Sequence, residues 1–241
     1  MSDKQETANM EINIYHLIEG AKKAKGEVVI IDVFRAFSLE CYLFSYGVRK
    51  IRPVGTLNEA FEWRERDKDC ILVGERGGKK CDGFDLGNSP SDIDRDMIKD
   101  KLIIHTTSAG TQGIINAQKA DEIITGSLVN ASAIARYIRR KDPKEVSLVC
   151  MGTAGKVKNP EDELCADYIK SMLLGEKIDG IDERIKDLRL NGGQHFFDPD
   201  NQEVFPKNDF YMCIDRDIFD FVIRIDKDEL GYAANRIFVE D

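Results

Sequence analysis

The chain has 241 residues, 42% of them hydrophobic and 33% charged, with a formal net charge of -9. That length suffices for one large domain or two small ones with a real core, and the acidic balance excludes a protein whose main task is gripping nucleic-acid backbone. Six scattered cysteines without a C-x-x-C pair exclude common zinc-site spacings. The polar start MSDKQETANM holds no export signal and no apolar run is long enough for a membrane span, so a cytoplasmic protein with free thiols is expected.

In chain order, short apolar runs alternate with polar loops and helical patterns. Residues 27–32 (EVVIID) predict a strand, and a helix follows in which Leu39, Leu43 and Phe44 share a face and Gly47 ends the run. KIRPV (50–54) precedes a helix opened by the capping-box pair Thr56 and Glu59. CILVG (70–74) enters the loop GERGGKKCDGFDLGNSP (74–90). KLIIHTT (101–107), ADEIITG and EVSLVCMG (145–152) are three further strands, each followed by a helix. The segment around 188–210 reads as an irregular excursion or lid, and FDFVIRI and NRIFVE as closing, antiparallel strands. Near-continuous aliphatic strands alternating with helices predict a mostly parallel sheet covered on both faces, in one α/β/α domain over 1–241.

In such sheets ligands bind beyond the carboxyl ends of strands, and here those ends are polar. Asp32 closes the first predicted strand with Arg35 three residues on, an acid for a metal or for nucleophilic attack beside an arginine for an anion. An ion pair capping the helix is the plainer alternative. IIHTTSAGTQG offers backbone N–H groups at a helix start, among them those of Ser108 and Gly110, with the hydroxyls of Thr106, Thr107, Ser108 and Thr111. It lacks the lysine of a P-loop, and a serine-capped turn would also explain it.

The loop at 74–90 combines five glycines with Glu75 and Asp85, hard oxygen ligands suited to Mg²⁺, with Arg76 for an anion and with the donors Asn88 and Ser89. A loop that merely packs on itself does not need that set. Glu161 and Asp162 open a later helix, where acids commonly only complement the dipole, and Cys165 is a core residue rather than a nucleophile. His16, His105 and His195 do not cluster in sequence and none has metal-ligand spacing to another.

The ordered pieces IIDVFRAFS (30–38), GERGGKKCDGFDLGNSP (74–90), TTSAGT (106–111), GSLVNASAIA (126–135) and EDELCADYI (161–169) resemble the 2-phosphosulfolactate phosphatase (ComB-like) family. The resemblance implies a three-layer α/β/α sandwich with a mixed, mostly parallel sheet. It also implies a cytosolic, Mg²⁺-dependent hydrolase of a 2-phospho-2-hydroxy acid, in the family the phosphate ester of 3-sulfolactate on the way to coenzyme M. The matched polar positions are Asp32, Arg35, Ser38, Glu75, Arg76, Asp85, Asn88, Ser89, Thr106, Thr107, Thr111, Asn130, Glu161 and Asp162. With the resemblance, the hypothesis is phosphate-monoester hydrolysis, with Mg²⁺ held by some of Asp32, Glu75, Asp85 and Asp162 and the phosphate bound by the Thr107–Thr111 amides, Arg35 and Arg76. Three positions depart from the family pattern: Phe37 replaces a threonine, Ala109 an asparagine and Gln112 an arginine. A non-catalytic binder of a phosphorylated metabolite is therefore the alternative reading. The expected partner is a small anionic phosphorylated substrate, not nucleic acid or membrane, and a homodimer is common among such enzymes.

Overall fold

The computed structural model describes residues 10–240. The chain opens with β1 (Glu11–His16) and α1 (Leu17–Ala21), both upstream of the first apolar run that the sequence pattern marks. Then come β2 (Gly26–Ile31), α2 (Ala36–Ser45), β3 (Lys50–Pro53) and α3 (Leu57–Arg66), the last opened by the expected capping box of Thr56 and Glu59. The loop after β4 (Ile71–Arg76) contains the two-residue β5 (Lys79–Lys80) and leads to α4 (Arg95–Ile98). β6 (Leu102–Thr106), α5 (Gly110–Asn116), β7 (Ala120–Gly126), α6 (Ala131–Lys141), β8 (Glu145–Cys150) and α7 (Pro160–Leu174) continue the strand–helix alternation. After α8 (Ile181–Asp187) the expected irregular excursion is two 3₁₀ turns, Gln194–Phe197 and Pro199–Asn201, before α9 (Lys207–Ile214). The chain closes with the antiparallel hairpin of β9 (Phe221–Asp228) and β10 (Gly231–Phe238).

The sheet is mixed and mostly parallel, with helices on both sides, an α/β sandwich as expected. Its strand order is β1-β8-β2-β7-β9-β10-β3-β6-β4-β5. β1, β8, β2 and β7 are mutually parallel, as are β3, β6 and β4. The β9–β10 hairpin lies between these sets, pairing with β7 on one side and β3 on the other. Three antiparallel steps make the two sets run in opposite senses along the ladder. Their carboxyl ends nevertheless meet: a Cβ added at Gly110, beyond β6, would stand 2.9 Å from Oδ2 of Asp32, beyond β2. The right-handed twist summed across these strands rolls the sheet and brings both sets of ends to one place.

α2 fills the inside of that roll. Ile30, Ile223, Ala234, Ile51, Ile103 and Val73, from six strands, join one apolar cluster with α2. The helix is buried on every side from Ala36 to Phe44, which suits a mostly apolar sequence; its polar Ser38 and Glu40 are hydrogen-bonded within the core. Outside the roll, Val29, Ile31, Ile124 and Leu148 pack on α6 and α7, while Leu72 and Ile104 pack in a smaller cluster that includes Ala60 of α3. The alternation of strand residues between these clusters is the period-two pattern of a sheet covered on both faces.

Candidate active site

Asp32 stands where β2 gives way to α2. Its Oδ1 accepts the Ala36 N–H at 3.2 Å, and the Gly110 N–H at the start of α5 also donates to its carboxylate. Two helix starts thus converge on one buried acid. Burial, then the neighbouring charges of Asp162 and Glu75, push its pKa well above the carboxylate range. Gly110 is required here, because a side chain would collide with both Ala36 and Asp32.

The adjacent acids on the first turn of α7 divide. Asp162 does not line the cavity: its Oδ1 accepts the Val33 N–H and its Oδ2 the Gly152 N–H, each at 2.8 Å, pinning α7 to the ends of β2 and β8. Burial and the Glu161 charge push it up to about 8. Glu161 lines the cavity with Asp32, and its Oε2 is buried without a hydrogen-bond partner. Burial, reinforced by Asp32, pushes its carboxyl up to about 7. The orphaned acid of this turn is therefore Glu161, whereas sequence reasoning placed Asp162 among the metal ligands.

In the 74–90 loop, Glu75 lines the same cavity, and its carboxylate is engaged in building the wall. Oε1 accepts the Ser108 N–H at 2.7 Å, and Oε2 accepts the Gly78 N–H at 2.7 Å and the Ser108 hydroxyl at 3.2 Å. Arg76 donates to the Glu75 carbonyl and to Thr106 Oγ1 at 3.0 Å. Asp85 lies apart from Asp32, lining a neighbouring cleft with Lys79 and Lys80. It pairs with Arg64 of α3 and accepts the Leu72 N–H at 2.7 Å. Asn88 lines both clefts, its Oδ1 3.3 Å from Nε2 of His105, whose Nδ1 lies 2.8 Å from Oε1 of the fully buried Glu40. Ser89 donates to Asp209 at 2.9 Å.

The threonine turn is internally bonded. Thr107 N–H donates to Thr111 Oγ1 at 2.8 Å, Thr111 N–H to Thr107 Oγ1 at 3.1 Å, and Thr111 Oγ1 to the Thr107 carbonyl. Ser108 and Ala109 face the cavity, whereas Thr106, Thr107 and Thr111 are buried behind it. Gln112 points away, donating to the Gly55 carbonyl at 2.8 Å. Of the three departures from the family pattern, only Ala109 reaches the cavity; Phe37 belongs to the core around α2.

Arg35 lines both clefts and fastens the lid. It donates to Asp209 Oδ2 at 2.7 Å, to the Val204 carbonyl at 2.9 Å and to the Gly78 carbonyl at 3.1 Å, and stacks on the Phe205 ring at 4.9 Å. Gly78 takes a positive φ of 82° directly against that ring, where a Cβ would overlap Phe205. The 188–210 excursion thereby covers a cavity of about 480 Å³, to which it contributes Gly192, His195 and Phe205. Burial, then Arg35, lowers the pKa of His195. Lys158 completes the rim as an exposed cation. Lys158 and His195 carried no local motif; only their position in the fold brings them to Asp32.

Among the described residues no helix is long and apolar enough to cross a membrane. A protein 31% identical over 238 residues, named probable 2-phosphosulfolactate phosphatase, occurs in Clostridium perfringens strain SM101; the alignment covers 90% of this chain and 93% of that one. One from Clostridium novyi with the same name is 30% identical over 85% of this chain and 91% of its own length. One from Caldanaerobacter subterraneus, again so named, is 39% identical over 59% of each chain. The family model described as 2-phosphosulpholactate phosphatase matches residues 12–228, and the chain belongs to that family of phosphoric monoester hydrolases.

Proposed function

We propose that this protein hydrolyses the phosphate ester of a 2-hydroxy acid, 2-phosphosulfolactate being the substrate that its relatives' names favour. The observation that carries the reading is the orphaned Glu161 carboxylate beside Asp32, in a cavity that also holds Arg35 and Lys158. Two buried acids pushed toward neutrality are an arrangement that a divalent cation relieves.

The donor set fits Mg²⁺, which takes one or two carboxylates together with phosphate oxygens. Asp32 and Glu161 would hold it, with Glu75 behind them as the brace of the wall. When bound, the ion would neutralise phosphate charge and lower the pKa of a water nucleophile. The chain supplies the rest. Arg35 and Lys158 bring positive charge to the anionic ester, where it stabilises the equatorial oxygens. Glu75 fixes the Ser108 and Gly78 backbones, and the 188–210 segment walls one side of the site with Gly192, His195 and Phe205. The apolar Ala109 wall, where the family pattern has an asparagine, is where specificity among 2-hydroxy acids is set.

Phosphate release from 2-phosphosulfolactate and a panel of other 2-phospho-2-hydroxy acids, with Mg²⁺ or with EDTA, tests this. The expected result is Mg²⁺-dependent turnover that Asp32→Asn abolishes. Tight binding of the panel with no phosphate release would instead make the protein a non-catalytic binder. We place the protein in the cytoplasm, with a homodimer as its expected assembly.

A further inference from the structure

A second group of ligand-type side chains lies on the other flank of α7. His16 and Cys150 are direct partners in the parallel β1–β8 ladder, so their side chains leave the same face of the sheet side by side. Glu163, on the first turn of α7, comes over them. His16 Nδ1, Cys150 Sγ and a Glu163 carboxylate oxygen all lie within 4.8 Å of one another, the only such His/Cys/Asp/Glu group among the described residues. His16 Nδ1 and Glu163 Oε1 are 2.7 Å apart. The contact misses hydrogen-bond geometry, so both atoms, buried from solvent, are left without a hydrogen-bond partner.

We propose that His16, Cys150 and Glu163 form a binding site for a Zn²⁺-class transition-metal ion, separate from the Asp32–Glu161 cavity. One imidazole, one thiolate and one carboxylate are ligands that Zn²⁺ accepts together in a tetrahedron, with water in the fourth place. Mg²⁺ takes hard oxygens and rejects the sulfur. Bond lengths of about 2.0–2.3 Å put tetrahedral donors roughly 3–4 Å apart. Seating the ion therefore opens the His16–Glu163 contact slightly and draws the sulfur inward by side-chain rotation. On binding, Cys150 gives up the hydrogen bond that its S–H donates to the Asp162 carbonyl at 3.4 Å, the S–H bond breaks, its proton passes to water, and the sulfur lone pair forms the metal bond. The ligand atoms are buried, but the side chains of His16 and Glu163 are 28% and 36% exposed, so their rotation toward solvent admits the ion.

Such a site ties the ends of β1 and β8 to the turn of α7 that carries Glu161 and Asp162. Residues 16, 150 and 163 are too far apart in sequence for any spacing rule to group them.

The test uses the full-length protein, stripped of metal, reduced and titrated with Co²⁺ and then Zn²⁺. The expected result is one equivalent of Co²⁺ giving a thiolate-to-metal charge-transfer band, bleached by Zn²⁺ but not by excess Mg²⁺. Cys150→Ser should lose the band, and His16→Ala and Glu163→Gln should weaken Zn²⁺ binding at least about tenfold. At one Zn²⁺ concentration the Tm of the native protein should also rise more than that of His16→Ala. His16→Ala and Glu163→Gln change partly exposed side chains, so they keep the test valid should Cys150→Ser fold poorly. No band in the native protein, a band surviving in Cys150→Ser, or unchanged Zn²⁺ affinity in His16→Ala would overturn the proposal.

Discussion

Arg35 and Asp209 form an ion pair 2.7 Å long whose side chains are 3% and 0% exposed. Asp209 also accepts the Ser89 hydroxyl and the Ser91 N–H, so one carboxylate of α9 holds both the cavity arginine and the 88–91 turn. Breaking one side of a buried pair strands the other charge. Asp209→Ala is therefore expected to cost about 3–5 kcal/mol of unfolding free energy. Replacing both partners with apolar residues of similar size should cost less than the single change. Urea unfolding of the two variants checks this, and equal losses would mean that removing Asp209 alone strands no charge.

Asp32 and Glu161 are expected to govern cation affinity together. Glu161→Gln should weaken activation by Mg²⁺ at least tenfold, roughly the effect of losing a supporting residue of a metal site, and Asp32→Asn more. Asp85→Asn should leave the Mg²⁺ concentration dependence unchanged and lower stability instead, through its Arg64 and Leu72 contacts. Activity against Mg²⁺ concentration separates the three; a shift for Asp85→Asn equal to that for Glu161→Gln would return Asp85 to the metal set.

The raised acids also make stability depend on pH. Glu161 and Asp162 bind protons more tightly in the folded chain, at about 7 and about 8, than in an unfolded one. Their contribution is fully present below the ordinary carboxylate range and is lost as pH rises through those values. In EDTA, Tm should therefore fall between pH 5 and 8, on the order of 3 kcal/mol deriving from Glu161 alone. Glu161→Gln should flatten the fall, and Mg²⁺ should offset it. A Tm rising over this range in EDTA would contradict the assignment.

Gly78→Ala tests the lid. Its Cβ would overlap Phe205 and strain a left-handed residue, so the cost should be about 1–3 kcal/mol. Loosening of the 188–210 segment should appear as faster proteolysis there, and substrate should restore protection. Unchanged proteolysis would mean that the contact with Phe205 does not hold the lid.

Most of the strands, and the helices that follow β2, β3, β6, β7 and β8, were legible because each is a continuous apolar or amphipathic run with a turn or polar stop. Even the acid at the end of β2 could be read as a site residue on that pattern. The choice between Glu161 and Asp162 could not. Adjacent helix residues differ by about 100° around the axis, and only the amides of Gly152, in the preceding loop, and Val33, far off in sequence, decide which acid is consumed. Glu75 and Asp85 look alike in sequence, yet Asp85 faces Arg64 on α3 and Glu75 faces Ser108. β1 escaped notice because it is a half-exposed edge strand without the aliphatic density of its neighbours. The place of β9 and β10 between the two parallel sets is a matter of pairing partners, which periodicity does not encode.

That place has a bearing on how the protein comes into being. The hairpin that bridges the two parallel sets is made after every other strand, although it occupies the middle of the sheet. While synthesis is under way, β7 and β3 each present an unpaired edge, and α2 has no closed roll to lie in. Completion of the sheet is thus withheld until β9 and β10 have been made, and a stop codon just before Phe221 should yield a protease-sensitive product that a synthetic 221–240 peptide complements.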